Sequence, residues 1–375
     1  MTISTVLITG GAGFIGSHTA DRLLAAGYHV RVLDSLQPPV HRPDTVPDYL
    51  APEVEFVRGD VRNKADWEKA LVGVDAVIHL AAYQDYLPDF STFFHVNCVG
   101  TALMYEVIVA NRLPIQKVIV AGSQAAYGEG KYRDPATGAI VYPLPRPEAQ
   151  LKQGIWDVLH PETGHPLELL PTDEAVTTPH NSYAISKISE EQIALTLGRR
   201  YNIPSVSMRY SIVQGARQSF RNAYSGVLRI FAMQVLAGEH PTAYEDGQQI
   251  RDYVYVGDVA AANQTVLEDP RADYLAFNVG GARKVTVNEF GQAMAEAAGR
   301  PDLVPIARGE FRFGDTRHII SDVTRLQALG WQPTSRIETN IREYLDWATR
   351  QPDFGNYTTA ARQHMQQVGT LRGAK

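Results

Sequence analysis

The sequence lacks the features that mark disulfide-bonded, membrane-spanning and nucleic-acid-binding proteins. It has one cysteine, Cys98, so no internal disulfide can form, which fits a reducing, cytoplasmic compartment. Its formal net charge is -6 and it has no run of Lys and Arg, which argues against nucleic acid or an anionic membrane as a partner. No uncharged apolar run reaches the roughly 18 residues that a membrane span needs. These absences favour a small molecule as the partner.

Metal binding has no support in the residue spacing either. The 11 histidines do not pair with Cys or acidic residues at metal-ligand spacing, so we predict no metal site. Cys98 lies in an apolar, helix-like stretch, where a buried structural thiol is expected rather than a nucleophile.

Short apolar runs alternate with helical patterns over the first 121 residues. Strands are predicted at 6–8, 29–34, 54–59, 76–80 and 117–121, and helices at 14–26, 64–72 and 93–111. A helix at 182–200 and a strand at 206–210 follow. Strands that alternate with helices at this spacing indicate an α/β fold with a parallel, doubly wound Rossmann sheet.

At 375 residues the chain exceeds the size at which one core stays single, so a second domain is expected. We predict a cofactor domain at 1–212 with about 252–279, and a smaller mixed α/β substrate domain at 213–251 and 280–350. Residues 351–375 are predicted to be a loosely held tail. Within the cofactor domain, the insertion 129–172 has seven prolines and no sustained periodicity, which predicts a long loop or lid.

The loop after the first predicted strand has glycines where phosphate binding needs them. Gly10 permits a tight turn, Gly13 lets the backbone approach a pyrophosphate, and Gly16 allows helix and sheet to pack closely. Phe14 and Ile15 open the helix, whose N-terminal N–H groups favour an anion. The strand before the loop and the helix after it indicate a dinucleotide site rather than a plain turn.

An aspartate closes the second predicted strand. Asp34 is placed to accept hydrogen bonds from an adenosine ribose and to repel a 2′-phosphate, so we predict NAD rather than NADP. A solvated loop aspartate is the alternative interpretation. Asp60 closes the third strand, and together with Val61 it is predicted to meet the adenine.

Two side chains suited to proton transfer lie one helical turn apart. Tyr183 and Lys187 open the helix predicted at 182–200 and share one of its faces. A nearby cation favours the phenolate form, which can take a proton from a sugar hydroxyl, and Lys187 can also hold the nicotinamide ribose. Tyr127 and Lys131 have the same spacing, but two intervening glycines oppose a helix there.

Ser123 follows the fifth predicted strand, at the carboxyl edge of the sheet, where doubly wound folds bind ligands. Its hydroxyl is placed to orient a substrate oxygen and to share its proton. An ordinary turn serine is the alternative on sequence position alone.

These residues, in this order, resemble the extended short-chain dehydrogenase/reductase family of sugar-nucleotide epimerases and dehydratases. The resemblance spans 6 to about 347, and it assigns Ser123, Tyr183 and Lys187 to catalysis. It implies an NAD-dependent enzyme and a nucleotide-sugar substrate. The residues that it adds to the cofactor site are Leu80, Ala81, Ala82 and Asn97.

The resemblance also implies a set of substrate-binding residues. Arg251 and Arg317 match the positions of two arginines that bind a diphosphate, for which the planar guanidinium is suited. Gln84, Gln124, Arg217 and Tyr244 complete the predicted set, together with Ser123.

Departures from the family pattern narrow the reaction. The 4,6-dehydratases have Asp-Glu directly after the catalytic Ser or Thr, where this chain has Gln124 and Ala125, so elimination of water is not expected. The usual Arg-Tyr-Phe-Asn run reads Arg209-Tyr-Ser-Ile212, which puts one phosphate or sugar contact in doubt. The insertion 129–172 begins beside Ser123, so we expect it to shape a pocket for an uncommon sugar.

The segments 121–128, 209–215 and 309–318 resemble dTDP-L-rhamnose 4-epimerases, which implies transient oxidation at carbon 4 of a dTDP-6-deoxyhexose. A 4-ketoreductase that consumes NAD(P)H would use the same residues. An oxidative decarboxylase would need acid/base groups that the sequence does not offer. A regulatory NAD-binding protein would not need Ser123, Tyr183 and Lys187 together. The resemblance also implies a homodimer formed through the helices at 93–111 and 182–200.

Overall fold

The computed structural model describes residues 3–42, 45–85, 88–221 and 226–374. Its centre is a seven-stranded sheet in the order β14-β9-β5-β4-β1-β2-β3, in which every neighbouring pair is parallel. The strands are β1 Thr5–Thr9, β2 His29–Asp34, β3 Glu55–Arg58, β4 Ala76–His79, β5 Lys117–Ser123, β9 Ser205–Tyr210 and β14 Ala276–Val279. This arrangement confirms the predicted Rossmann fold.

Helices cover both faces of the sheet because its strands are apolar on both sides. Val6 and Ile8 of β1 belong to one buried cluster, while Leu7 between them belongs to another on the opposite face. The first layer contains α1 Phe14–Ala25 and α7 Val256–Glu268. The second contains α2 Lys64–Ala70, α3 Phe90–Ala110 and α5 Ser182–Tyr201.

Helix α3 is the one helix among the described residues that is long and apolar enough to cross a membrane by length and composition alone. Its mean hydropathy is 1.5, although Glu106 interrupts the uncharged run. A buried core helix meets the same criterion, and α3 packs against α2 and α5. Val99 on α3 and Ile185 on α5 are exposed, and the homodimer through these helices stays a prediction.

A second core lies beyond the sheet. It is built by α6 Val227–Leu236, α8 Val287–Ala297 and α10 Ile337–Ala348, whose apolar faces meet at Phe231, Phe290 and Ile341. Short strand pairs surround it: β10 Ile212–Gln214 with β13 Tyr253–Tyr255, β11 Thr242–Ala243 with β16 Ile306–Ala307, and β12 Ile250–Arg251 with β15 Val285–Thr286. Helix α9 Thr324–Gln327 precedes α10.

The insertion 129–172 is an ordered substructure, so the prediction of a loop without regular elements is wrong. It contains a three-stranded antiparallel sheet and one short helix, and the sheet packs in a small apolar core that includes Ile320. The strands are too short for a period-two pattern to be visible in the sequence. The elements are β6 Tyr132–Arg133, β7 Ile140–Val141, α4 Glu148–Leu151 and β8 Glu168–Leu169.

Buried ion pairs fasten the insertion to the second core. The Arg146 guanidinium donates to Glu245 at 2.9 and 3.0 Å and also contacts Glu129, and all three side chains are buried. Arg317 continues this network to Asp157 and Glu245. Charges that are removed from water in this way persist only when each has partners of opposite sign.

Residues 351–374 are also ordered, contrary to the predicted loose tail. They form α11 Thr358–Gln367 and β18 Leu371–Gly373, and β18 pairs antiparallel with β17 Glu310–Arg312. Ala361 and Met365, four positions apart, are buried on α11. The helix can therefore pack against the rest of the protein although it is rich in Gln.

Candidate active site

One cavity of about 1780 Å³ extends from the carboxyl ends of the central strands into the second core. Pockets for a single small ligand measure roughly 300–1,000 Å³, so this cavity has room for a cofactor and a second ligand side by side. Its position at the carboxyl edge of the sheet is the one that doubly wound folds use for ligands.

The glycine loop forms one wall of the cavity. Gly10 has a φ of +63°, and a Cβ on Gly16 would lie 2.3 Å from the Gly10 carbonyl oxygen, so neither position accommodates a larger residue without a shift. Gly13 is the N-cap of α1 and provides no side-chain cap. The first N–H groups of the helix, at Phe14 and Ile15, therefore remain available to a phosphate.

Asp34 lies at the end of β2 in the same wall. Its carboxylate accepts hydrogen bonds from the Ala12 N–H at 3.1 Å and the Leu36 N–H at 2.9 Å, which fixes its orientation. His41 Nε2 lies 3.9 Å from Asp34 Oδ1. The side chain is buried yet lines the cavity, as an acceptor for a ribose hydroxyl must.

Replacing Asp34 by Asn is expected to weaken NAD binding about ten- to a hundredfold and to reduce the preference for NAD over NADP, because a charged acceptor and the repulsion of a 2′-phosphate are both lost. Isothermal titration of the cofactor-stripped protein with each dinucleotide measures this. Asp75→Asn is the matched control, since Asp75 also accepts two backbone N–H bonds but lies outside the cavity. Unchanged NAD affinity in Asp34→Asn would contradict the role of Asp34.

The other predicted cofactor residues line the cavity, with the exception of Asn97. Asp60 lines the cavity, but its carboxylate is bound by Arg62 at 2.5 Å. Burial raises the pKa of Asp60, and the hydrogen bonds and charge of Arg62 outweigh this and lower it overall. Four apolar residues also line the cavity, namely Val61, Leu80, Ala81 and Ala82.

Asn97 lies beneath the cavity wall rather than in it. Its side-chain oxygen accepts from the Tyr83 N–H at 2.8 Å, and its amide donates to the Tyr83 carbonyl and to the Ser186 hydroxyl. A stretch of π-helix at Phe94–Val99 within α3 presents it to both partners. Asn97 therefore ties the segment after β4 to the helix that carries the proposed catalytic pair.

Ser123, Tyr183 and Lys187 line the cavity together. Helix α5 begins after Asn181, whose side chain caps the Ala184 N–H at 2.8 Å, and this start places Tyr183 in the first turn. Ser123 ends β5, two residues beyond the predicted strand, and its oxygen accepts from the Ala125 N–H at 3.2 Å. The Ser123 hydroxyl hydrogen thus stays available for a ligand oxygen.

A buried carboxylate that the sequence reasoning missed accompanies the lysine. Lys187 Nζ lies 2.5 Å from Glu190 Oε2, and both side chains are almost fully removed from solvent. Burial raises the pKa of Glu190 to about 7, although the Lys187 charge opposes the rise. The spacing Lys-x-x-Glu on one helix was the available signal, because residues three apart share a face.

The alternative Tyr-x-x-x-Lys pair does not form a site. The Tyr127 hydroxyl is buried, donates to Asn278 and accepts from Arg209 at 2.9 Å. Lys131 pairs with Asp173 at 2.5 Å. The backbone turns between Tyr127 and Lys131 instead of continuing as a helix.

The predicted substrate residues are only partly brought together. Gln84, Gln124, Tyr244 and Arg251 line the cavity. Arg217 does not, because it pairs with Asp21 at 2.7 Å and lies over the Tyr49 ring.

Arg317 also lies outside the cavity wall, since its guanidinium is buried among Asp157, Glu245 and Asp246. The arginines that line the cavity besides Arg251 are Arg62, Arg229, Arg308, Arg312 and two near the C-terminus, Arg362 and Arg372. Arg312, five residues before Arg317, is the one that sequence reasoning should have chosen from this segment. Its guanidinium lies 4.7 Å from the centre of the Tyr244 ring.

The cavity wall beside the proposed catalytic residues is polar and uncharged. Gln124 and His180 both lie there, and Gln124 Oε1 and His180 Nε2 are buried with no hydrogen-bond partner in the described part of the protein. Buried polar atoms of this kind are normally satisfied, so a ligand with hydroxyl groups would complete them. Across the described ranges, no group of three or more His, Cys, Asp or Glu side chains is arranged to hold a metal.

No residue of 129–172 lines the cavity, so the expectation that the insertion shapes the sugar pocket directly is wrong. The insertion instead contacts residues that form the cavity wall. Arg146 donates to the Asp315 carbonyl at 2.8 Å, and Asp315 and Thr316 belong to the cavity wall. The insertion therefore supports this wall from behind.

Comparison with known proteins places the chain among sugar-nucleotide enzymes. It is 32% identical over 360 residues to a dTDP-L-rhamnose 4-epimerase of Burkholderia thailandensis, covering 94% of this chain and 96% of that protein. It is 30% identical to a putative UDP-glucose 4-epimerase of Methanocaldococcus jannaschii, covering 91% and 97%.

Among solved structures, a UDP-glucose 4-epimerase of Thermotoga maritima with UDP-glucose matches with a TM-score of 0.75 and 27% identity, covering 92% of this chain and 99% of that one. A Thermus thermophilus UDP-glucose 4-epimerase in complex with NAD matches with a TM-score of 0.69 and 31% identity, covering 92% and 98%. The model of the NAD dependent epimerase/dehydratase family matches residues 6–280. The family resemblance inferred from the motifs and the NAD cofactor are thereby confirmed, and the chain belongs to the NAD dependent epimerase/dehydratase family.

Proposed function

We propose that the protein is a nucleotide-sugar 4-epimerase whose substrate is a dTDP-6-deoxyhexose such as dTDP-L-rhamnose. The observation that carries the reaction type is the meeting of Ser123, Tyr183 and Lys187 with the glycine loop in one cavity. The relatives that span almost the whole chain at 30% identity or more support epimerisation, and the first of them supports the choice of sugar.

The chain's own residues account for the proton movements. NAD, which the glycine loop and Asp34 would hold, would supply reversible hydride transfer at carbon 4 of the sugar. Ser123 donates a hydrogen bond to the oxygen on carbon 4 and holds it near Tyr183. Tyr183, as phenolate, takes the proton of that hydroxyl, and after the sugar turns it gives the proton back. Lys187, one helical turn from Tyr183 and lining the same cavity, is placed to hold the nicotinamide ribose.

The wall that follows Ser123 fits epimerisation better than elimination. Gln124 and Ala125 provide neither an acid nor a base, and both are needed to remove water from a sugar. Gln124 can instead hydrogen-bond sugar hydroxyls. Arg251 and Arg312, which line the cavity further along, have the planar cationic groups that a diphosphate requires.

The test is to incubate the purified protein with dTDP-, UDP- and GDP-hexoses without added cofactor and to follow the products by NMR. We expect dTDP-L-rhamnose to be converted to an equilibrium mixture of its carbon-4 epimers, with no net accumulation of NADH, because oxidation and reduction cancel. Conversion that requires stoichiometric NAD(P)H would identify a 4-ketoreductase and refute epimerisation. Epimerisation of UDP-hexoses alone would refute only the choice of sugar nucleotide.

A further inference from the structure

The C-terminal elements α11 and β18 form a wall of the cavity that neither the motifs nor the family match, which ends at residue 280, assigns to a ligand. One face of α11 is docked: Ala361 is buried in a cluster with Phe220 and Met233. The face that lines the cavity carries Thr359, Arg362, Gln363 and Gln366. The docked face fixes which residues point toward the ligand space.

Strand β18 fastens this wall to the strand that carries Arg312. Phe311 pairs with Arg372 and Arg312 with Leu371 in the β17–β18 ladder. Arg362 binds the Glu310 carboxylate at 2.6 and 2.7 Å, and Arg372 binds Glu148 of the insertion at 2.7 Å. Strand β17 and the insertion therefore both hold this wall in place. The wall adjoins the segment that carries Arg312.

The chemistry of the wall differs from that of the glycine loop. Thr359, Gln363 and Gln366 are neutral donors and acceptors with exposed side chains. Phe313, whose N–H donates to the Thr370 carbonyl just before β18, is 46% exposed and offers an aromatic ring, with the Arg372 guanidinium 4.9 Å from the ring centre. Neutral hydrogen-bonding groups and an aromatic surface suit a nucleobase and a ribose, whereas Arg308 and Arg312 on the adjoining wall suit phosphates.

We propose that α11 and β18 bind the nucleobase and ribose of the sugar nucleotide. The proposal rests on the proposed function, because it concerns the nucleotide end of the same substrate. The adenosine half of NAD has its own wall, formed by the glycine loop and Asp34, so the two nucleotides occupy different parts of the cavity.

Two neighbouring glutamines provide a matched test. Gln366 lines the cavity and Gln367 does not, although both are exposed and lie next to each other on α11. Gln366→Trp is expected to fill the site and weaken binding of dTDP and UDP at least about tenfold, because the indole would occupy space that the base needs. Gln367→Trp is expected to bind both like the unaltered protein. Isothermal titration with dTDP, UDP and NAD measures this on the full chain, and NAD affinity should stay unchanged in both variants.

The outcomes separate this proposal from the proposed function. If the unaltered protein binds dTDP or UDP and epimerises its sugar, but Gln366→Trp binds the nucleotide equally well, the base lies elsewhere and only this proposal is refuted. Equal losses in Gln366→Trp and Gln367→Trp would also refute it, since they would reflect a disturbed helix. If the unaltered protein binds NAD but no nucleoside diphosphate, the proposed function fails as well.

Discussion

Replacing Tyr183 by Phe is expected to lower the turnover number about 10²- to 10⁴-fold, which is the range that a positioned acid/base group contributes. The substitution removes the phenolic oxygen and keeps the ring, which packs edge-on against Phe93 at 6.4 Å. NAD affinity and thermal stability should therefore change little. Turnover measured on the accepted sugar nucleotide, with NAD binding measured by titration, separates loss of chemistry from loss of cofactor.

The matched control is Tyr127→Phe in the second Tyr-x-x-x-Lys sequence. The Tyr127 hydroxyl is buried between Asn278 and Arg209, so its loss is expected to cost about 1–3 kcal/mol of unfolding free energy and leave the turnover number of the folded enzyme within a few-fold. Near-normal turnover in Tyr183→Phe would refute the assignment of Tyr183 as the proton acceptor.

The largest loss of stability is expected from Arg209→Met. The Arg209 guanidinium binds both oxygens of the Glu191 carboxylate, at 2.9 and 2.6 Å, and both side chains are buried. Removing one partner leaves the other charge buried and unpaired, which costs about 3–5 kcal/mol. The free energy of unfolding, obtained from urea denaturation, measures the effect.

An exposed pair of the same chemistry provides the comparison. Arg133 binds Glu168 bidentately, but the two side chains are 45% and 52% exposed, so Arg133→Met is expected to cost less than about 1 kcal/mol. Adding Glu191→Gln to Arg209→Met should restore part of the lost stability, because no buried charge then remains. Equal costs at the two sites would show that burial of the pair does not determine its contribution.

The sequence was most informative where function depends on a local pattern. Gly10, Gly13 and Gly16 follow one strand and open one helix, so spacing alone locates the turn that they make. Tyr183 and Lys187 share a face because they are four residues apart on a helix. Asp34 ends a strand that can be recognised from its run of apolar residues. In each case the relevant neighbours lie within about 20 residues in the chain.

The sequence was least informative where partners are distant along the chain. Arg312 and Arg317 lie in one segment, and which of them faces the cavity depends on pairing with β18, about 60 residues later, and on the carboxylates at 157, 245 and 246. The insertion reads as a loop because its strands have two residues each and their core includes Ile320. Glu190 was visible as a spacing, but only its burial shows that it accompanies Lys187.

The ion pairs of Arg146 have a consequence for the fate of the intermediate. An epimerase of the proposed kind makes an enzyme-bound ketone halfway through its cycle. Escape of that ketone would leave the cofactor reduced and the enzyme unable to begin another cycle. In many enzymes a hinge motion that opens the site limits the release of bound molecules. Arg146 links the insertion to Glu245, in an interior where charges cannot part without water to replace their partners. Any motion that separates the insertion from Glu245 would have to expose this ion pair, so we expect the two segments to move together.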